Sequence, residues 1–182
     1  MPLTKIKSLG ITDGTILGTD VNSTFDLTGK TVTLPAGTGG KVLQVVHANT
    51  STQVSNSTNT LADTTLTATI TPSSTSNKIL VLVSQNGLYK SSGNMNQALV
   101  IKLFRNSTEI GKTGSLNYVA QTIESITGTA GFNVLDTPSS TSAITYKTQF
   151  WNQNGTASVG VQYTYGGGWD ATSYITLMEI AG

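Results

Sequence analysis

Residue types that carry out catalysis are scarce in this sequence of 182 residues. The chain has a single histidine, His47, and no cysteine, so a catalytic triad or a metal site has at most one imidazole and no thiolate. None of the many serines lies in the Gly-x-Ser-x-Gly frame of a hydrolase nucleophile. We therefore expect no catalytic residue, metal ion or cofactor, and we expect His47 to pack or form a hydrogen bond within a valine-rich strand.

Carboxylates are the remaining candidates for chemistry, because a glycosidase needs two of them about 5 to 10 Å apart. Six acids could serve, and none is clustered with another in sequence: Asp63, Glu109, Glu124, Asp136, Asp170 and Glu179. Asp136 precedes Thr137-Pro138 and Asp170 follows a glycine run, and both settings are typical of turns. We predict solvated turn or edge positions for these acids and a protein that is not an enzyme.

The charge of the chain argues against two classes of partner. Charged residues make up 10% of the sequence and the formal net charge is +1. Arg105 is the only arginine, and the lysines form no stripe that could neutralise a row of phosphates, so we expect no nucleic acid partner. The longest aliphatic run, 79–83, is far shorter than the about 20 residues of a membrane helix, and no signal peptide is recognisable. Membrane association is therefore not expected.

The candidate residues must be positioned by β-strands, because apolar residues do not recur at helical spacing and β-branched residues and glycine dominate. Apolar and polar residues alternate around Leu66, Ala68 and Ile70, and again along 159–165. The predicted strands cover 42–47, 64–71, 78–86, 97–105, 108–111, 118–127, 130–136, 143–153, 157–165 and 173–180. We predict an all-β fold, a jelly-roll-like antiparallel β-sandwich over residues 41–182.

Residues 1–40 differ from the rest, since their scattered apolar residues cannot bury a core of their own. The glycine-rich stretch 37–40, followed by Lys41 and Val42, lacks the Ser or Thr and the helix of a phosphate-binding loop, so we interpret it as a hinge. We predict that residues 1–40 form an extended attachment arm. Its anchoring residues would be the isolated apolar ones: Ile6, Leu9, Ile11, Ile16 and Phe25.

Two predicted strands, 79–83 and 98–104, are apolar on both faces. A strand tolerates this pattern only where each face is covered. One cover is the opposing sheet, and we expect the other to be a neighbouring copy of the chain. The residues predicted to mediate self-association are Leu80, Leu82, Leu99, Ile101 and Leu103.

Aromatic residues are concentrated in the C-terminal part of the chain. Tyr146 and Phe150 fall on one side of their strand, which predicts a core or a subunit interface. Trp151 and Trp169 are the exceptions that could stack on a sugar, with the glycine-rich loop presenting the second tryptophan. The candidate residues for ligand or receptor contact are Trp151, Trp169, Gly167 and Asp170.

Two stretches of the sequence resemble a known group of proteins. The segment Phe25-Asp26-Leu27-Thr28-Gly29-Lys30-Thr31-Val32-Thr33-Leu34-Pro35-Ala36-Gly37, running into Gly40-Lys41-Val42-Leu43-Gln44-Val45-Val46, resembles structural proteins of tailed phages, particularly phages of marine bacteria and cyanobacteria. The ending Ser173-Tyr174-Ile175-Thr176-Leu177-Met178-Glu179-Ile180-Ala181 is similar to the terminal strand of their fibre or decoration domains. The resemblance implies a homotrimer of jelly-roll-like domains on the virion surface, with the N-terminal segment docked on the particle.

The resemblance leaves two roles open. A short arm before one sandwich, without a long shaft repeat, favours a capsid decoration (cement) protein or short head fibre whose arm binds the major capsid protein or another virion protein. The alternative is a tail-fibre or tail-tip receptor-binding protein that recognises host surface glycan through its C-terminal aromatic residues.

Overall fold

The computed structural model of the protein describes residues 41–90, 99–113, 128–152, 158–164 and 170–182. The predicted arm and the predicted strand 118–127 lie outside the described residues. The described residues form strands and contain no helix. The strands are β1 (Val42–Thr50), β2 (Val54–Asn56), β3 (Ala62–Ile70), β4 (Lys78–Lys90), β5 (Leu99–Arg105), β6 (Thr108–Lys112), β7 (Gly128–Asp136), β8 (Ile144–Asn152), β9 (Val159–Val161) and β10 (Ser173–Ile180).

The strands form two antiparallel sheets. Sheet 1 contains β1, β10, β4 and β7 in that order, and the short strands β9 and β2 continue it from the end of β4. Sheet 2 has the order β3-β8-β5-β6. Pairing is nested along the chain, since β1 pairs with β10, β3 with β8, β4 with β7 and β5 with β6. This is the connectivity of a jelly roll, so the predicted all-β, jelly-roll-like sandwich is confirmed.

Strand alternation decides which side chains face the core. On β3, Leu66, Ala68 and Ile70 are buried while the threonines between them are exposed, as predicted. The same parity buries Tyr146 and Phe150 on β8, so of the two predicted places, the core or a subunit interface, they lie in the core. The sandwich interior therefore follows from a period of two in the sequence.

The core consists of two apolar clusters. The first contains Leu66, Ala68, Ile70, Ile79, Val81, Val83, Leu103, Ile144, Tyr146, Ile175 and Leu177. The second contains Leu88, Leu99, Ile101, Ala130, Phe150, Val159 and Val161. Thr148 lies between Tyr146 and Phe150 along β8, so the boundary between the clusters is occupied by a polar side chain.

That boundary is a belt of hydrogen-bonded, buried polar side chains, which we call the polar belt. Thr64 on β3 contacts Thr148 on β8 (Oγ1 to Oγ1, 2.5 Å), and the Thr148 hydroxyl donates to Gln85 Oε1 on β4 (2.9 Å). Gln85 Nε2 donates to Ser173 Oγ on β10 (2.9 Å), and Gln162 Nε2 donates to the same oxygen (2.9 Å). All five side chains are buried. The belt therefore joins the two sheets across the core.

A second connection between the sheets is made by Asp136, at the end of β7. Arg105 Nη1 donates to both carboxylate oxygens of Asp136 (2.9 and 3.1 Å), and the Tyr146 hydroxyl donates to Oδ2 (2.7 Å). Asp136 belongs to sheet 1, whereas Arg105 and Tyr146 belong to sheet 2. We call this group the Asp136 clamp. Burial and the hydrogen bond to the carboxylate both raise the pKa of the Tyr146 phenol.

The two ends of the sandwich differ. At one end the chain enters at Lys41, and the short connections 71–77, 106–107 and 137–143 turn between strands. We call this the arm end. At the opposite end, which we call the loop end, β4 and β8 end and β5, β7 and β10 begin, because every strand pair is antiparallel. The strand ends there are joined through residues 91–98, 113–127, 153–158 and 162–172, the last two on either side of β9. Across the described ranges, no helix is long and apolar enough to span a membrane.

Candidate interaction surfaces

The outer face of sheet 2 is ionic. Lys102 Nζ lies 2.7 Å from Glu109 Oε2, and Lys147 Nζ lies 2.9 Å from Asp63 Oδ1. Gln149 Nε2 also donates to Asp63 (2.7 Å). Asp63 and Glu109 are exposed, as predicted for these two acids. Paired charges of this kind suit a surface that remains in contact with water.

Trp151, a predicted ligand contact, lies on this ionic face. Its side chain is half-buried, and the Lys102 ammonium lies 5.4 Å from the ring centroid, in a cation–π arrangement. The indole Nε1 is buried without a hydrogen-bond partner in the described part of the chain. Because Lys102 already occupies one face of the ring, only the remaining ring surface could stack on a sugar.

Of the other predicted ligand contacts, Asp170 is the one that the structure describes. Asp170 is exposed at the start of the segment that leads into β10. Gly167 and Trp169 lie outside the described residues. The structure therefore places Trp151 on β8 and Asp170 in a loop-end connection.

The outer face of sheet 1 carries a row of apolar residues, with uncharged polar residues such as Asn133 and Thr176 beside it. Val45, Met178, Leu80 and Leu135 are aligned in register across β1, β10, β4 and β7. We call these four residues the apolar row. The residues at its two ends are 56% (Val45) and 54% (Leu135) exposed. An aliphatic row of this kind leaves apolar area in contact with water on the described subunit.

Further apolar side chains surround the row. Six large apolar side chains are exposed in the described part of the chain, and all except Leu61 belong to the strands of this face: Val42, Leu43, Val45, Leu135 and Tyr174. Leu82 and Ile180 project to the same side by strand parity and are half-buried. Within the described strands, Lys78 at the arm end is the one lysine, arginine or acid that strand parity directs to this side. We call the whole surface the apolar face.

A groove crosses the apolar face near Gly131. Its volume is about 370 Å³, and its lining residues come from β4, β7 and β10: Leu82, Val83, Ser84, Gly131, Phe132, Asn133, Tyr174 and Thr176. The Tyr174 ring stacks on His47 at 5.8 Å, and His47 Nδ1 is hydrogen-bonded to Thr176 Oγ1 at 2.9 Å. His47 thus makes the packing and hydrogen-bond contacts expected of it, and these contacts hold Tyr174 beside the groove.

The predicted self-association residues divide between this face and the core. Leu80 and Leu82 project from the outer face of sheet 1. Leu99, Ile101 and Leu103 are completely buried inside the sandwich and present no surface to a second copy. The alternate positions of β5 carry Val100, Lys102 and Phe104 outward instead, and Lys102 is paired with Glu109.

Glu179 is a buried carboxylate at the arm end. Oε1 accepts hydrogen bonds from Ser73 N (2.7 Å), Ser73 Oγ (2.8 Å) and Asn77 Nδ2 (2.6 Å), and Oε2 accepts one from Gln44 Nε2 (2.5 Å). Burial alone raises the carboxyl pKa, but the bonds from Gln44, Asn77 and Ser73 outweigh it and lower the pKa to about 2. Ala181 N nearby donates to Lys41 O (3.0 Å), so these contacts surround the point where the arm joins.

The prediction of solvated positions was wrong for two acids, Glu179 and Asp136. Glu179 is 1% exposed, and the Asp136 side chain is 10% exposed in its clamp. The signal for Glu179 was present in the sequence, because it is in phase with the buried Ile175 and Leu177 on β10. The described residues hold no cluster of three or more histidines, cysteines or acids that could bind a metal ion.

The nested strand pairs define the chain as a jelly-roll protein. No protein-family model matches the sequence, and no curated protein matches it either. Among solved structures, the chain is similar to VP2 in the crystal structure of the infectious bursal disease virus VP2 subviral particle, with 14% identity and a TM-score of 0.39. The match covers 75% of this chain and spans 39% of the length of that one.

Proposed function

We propose that the protein is a non-enzymatic structural component of a tailed-phage virion. The role that fits best is a homotrimeric capsid decoration (cement) protein, or a short head fibre, at the surface of the particle. One observation carries the proposal: the described chain enters a braced sandwich at Lys41, at the opposite end of the strands from Lys90 and Asn152, where β4 and β8 end. A protein built this way can be held by its arm while it presents its loop end outward.

The sandwich between the two ends is suited to a structural role, because its two sheets are held together by polar contacts. The Asp136 clamp ties the sheets at the arm end, and the polar belt ties them across the core. The jelly roll is used by viral capsid domains, but also by lectins and cupins. Fold alone is therefore an analogy, and the resemblance of the sequence to phage structural proteins adds to it.

The partner of the arm would be the major capsid protein or another virion protein. The test uses full-length protein in which Ile11 and Ile16 are replaced by Asp, together with a deletion of residues 1–36. Both variants should stay folded and lose binding to particles that lack the protein, measured by co-sedimentation. Leu61→Asp, which changes an exposed residue of the sandwich, is the control and should bind normally. Undiminished binding of the arm variants would refute the proposed attachment.

A second candidate function is receptor binding, favoured by the concentration of aromatic residues in the C-terminal part of the chain. The ligand class would be host surface glycan, contacted by Trp169, Gly167 and Asp170. Trp169→Ala should abolish adsorption to host cells while the oligomer remains intact. Trp151→Ala should have a smaller effect, because Lys102 already covers one face of that ring. Normal adsorption of the Trp169 variant would count against this role.

A further inference from the structure

The two outer faces of the sandwich differ in a way that composition alone does not explain. Sheet 2 exposes the ion pairs Lys102–Glu109 and Lys147–Asp63. Sheet 1 exposes the apolar row, with Lys78 at its margin. Both outer faces also carry other side chains, since Val100 and Trp151 lie on sheet 2 and His47 and Thr176 on sheet 1, but the aligned, exposed aliphatic row is found on sheet 1. Exposed apolar area of this kind is typical of a surface that contacts a partner.

We infer that the apolar face is the surface through which a second copy of this chain packs. The inference rests on the self-association included in the proposed function, and it names the residues responsible. Because both copies use the same face, the contact has two-fold symmetry and the pair is a dimer, which would take the place of the trimer proposed above; equivalent residues of the two copies then approach one another. A charged face would then meet its own charge, whereas the apolar row meets only more aliphatic surface.

The size of the face is sufficient for this role. Four strands of about eight residues cover roughly 19 by 26 Å, or about 500 Å² in projection, from a strand spacing of about 4.8 Å and a rise of about 3.3 Å. Two copies that cover each other's whole face would therefore bury about 1,000 Å², which is the lower limit for a specific interface.

The groove at Gly131 gives the contact a defined shape. A Cβ added to Gly131 would lie 3.5 Å from Val83 O, an ordinary contact, and the residue is on the exposed side of its strand. The glycine is therefore not required by the fold of the subunit at this point. It leaves space beside Tyr174 and Leu82 that an apolar side chain of the neighbouring copy can fill.

The test measures the association of full-length protein by sedimentation velocity over a wide concentration range. Leu135→Glu and Val45→Glu each place a charge in the apolar row at a position more than half exposed in the subunit. Each should weaken association at least about tenfold, because a buried, unpaired charge costs more than the about 1.4 kcal/mol of a tenfold change. Leu61→Glu is the matched control, with the same change of charge at an exposed leucine outside the face, and it should associate normally.

Gly131→Val is the second variant, and it adds no charge. It should fill the groove, keep the thermal stability of the subunit and also weaken association. If the wild-type chain associates and all three face variants associate equally well, the inference is wrong, while the arm and particle-binding proposal is unaffected. A wild-type chain that is monomeric alone, with the face protected only on particles, would also overturn the inference, since the occupant would then be another virion protein.

Discussion

Replacing Asp136 by Ala is expected to destabilise the sandwich by about 3 kcal/mol. The substitution leaves the buried Tyr146 hydroxyl without its acceptor, which costs about 1–3 kcal/mol. It also removes the ion pair with Arg105. Because the Arg105 side chain is 27% exposed and can be hydrated, loss of this pair adds only about 1 kcal/mol to the destabilisation. A sandwich of about 140 residues has an unfolding entropy near 0.3 kcal/mol/K, so Tm should fall by about 10 °C.

A double-mutant cycle shows whether the hydroxyl is the cause. In the wild-type chain, Tyr146→Phe removes one hydrogen bond and should lower the free energy of unfolding by about 1 kcal/mol. The cost is limited because Asp136 remains paired with Arg105. In the Asp136→Ala background the same substitution removes an unpaired buried hydroxyl, so it should stabilise by about 1 kcal/mol. The sign of the effect of Tyr146→Phe therefore depends on residue 136.

The assay is urea and thermal unfolding of the full-length wild type, both single variants and the double variant at neutral pH. Arg105→Ala is a useful comparison, since it leaves the Asp136 carboxylate, whose side chain is 10% exposed, without its cation and should also destabilise the sandwich. Strict additivity of the Asp136 and Tyr146 substitutions would refute the reasoning. It would mean that the hydrogen bond of 2.7 Å contributes nothing to stability.

Two further predictions concern Glu179 and Gly87. The Glu179 pKa is lowered from 4.5 to about 2, so its contribution to stability is present above pH 4.5 and is lost as the pH falls towards 2. Urea midpoints measured across this range should decline less in Glu179→Gln, and an equal decline would exclude this carboxylate as the cause. Gly87 has a φ of +61°, and an added Cβ would lie 2.5 Å from both Tyr163 N and Ala171 Cβ, so Gly87→Ala should cost more than about 2 kcal/mol. Gly131→Ala is its control, and equal melting temperatures for the two variants would contradict the steric argument.

Most of the strands could be predicted from the sequence, because a strand with one buried and one exposed face has alternating apolar and polar residues. The predicted strands 78–86 and 173–180 correspond to β4 and β10, and β4 continues four residues further, to Lys90. The three-residue strand β2 was missed, since so short a segment contains no period. Its place is set by pairing with β9, far away in the chain.

The candidate surface was harder to predict, because a strand that is apolar on both faces does not reveal which face is inside. Strand β5 illustrates this. Leu99 and Ile101 face the core, while the outward Lys102 is paired with Glu109 on β6. The apolar row could not be read from the sequence either, since it depends on the register of four strands that are distant along the chain. The burial of Glu179 could have been predicted from its phase on β10, but its neutral donors could not, because they lie on another strand and in a loop.

The polar belt has a consequence for folding accuracy. A strand that slips by two residues keeps its apolar side chains inward, and one aliphatic contact is replaced by another at little cost. Gln85 and Thr148 face each other and are hydrogen-bonded across the core. The same slip would place the Gln85 amide against apolar side chains and leave its hydrogen-bonding groups unpaired, which costs free energy. The polar belt therefore fixes the register of the strands between the two sheets. It destabilises misfolded forms in which one of the threonine-rich strands, whose sequences are similar, has shifted.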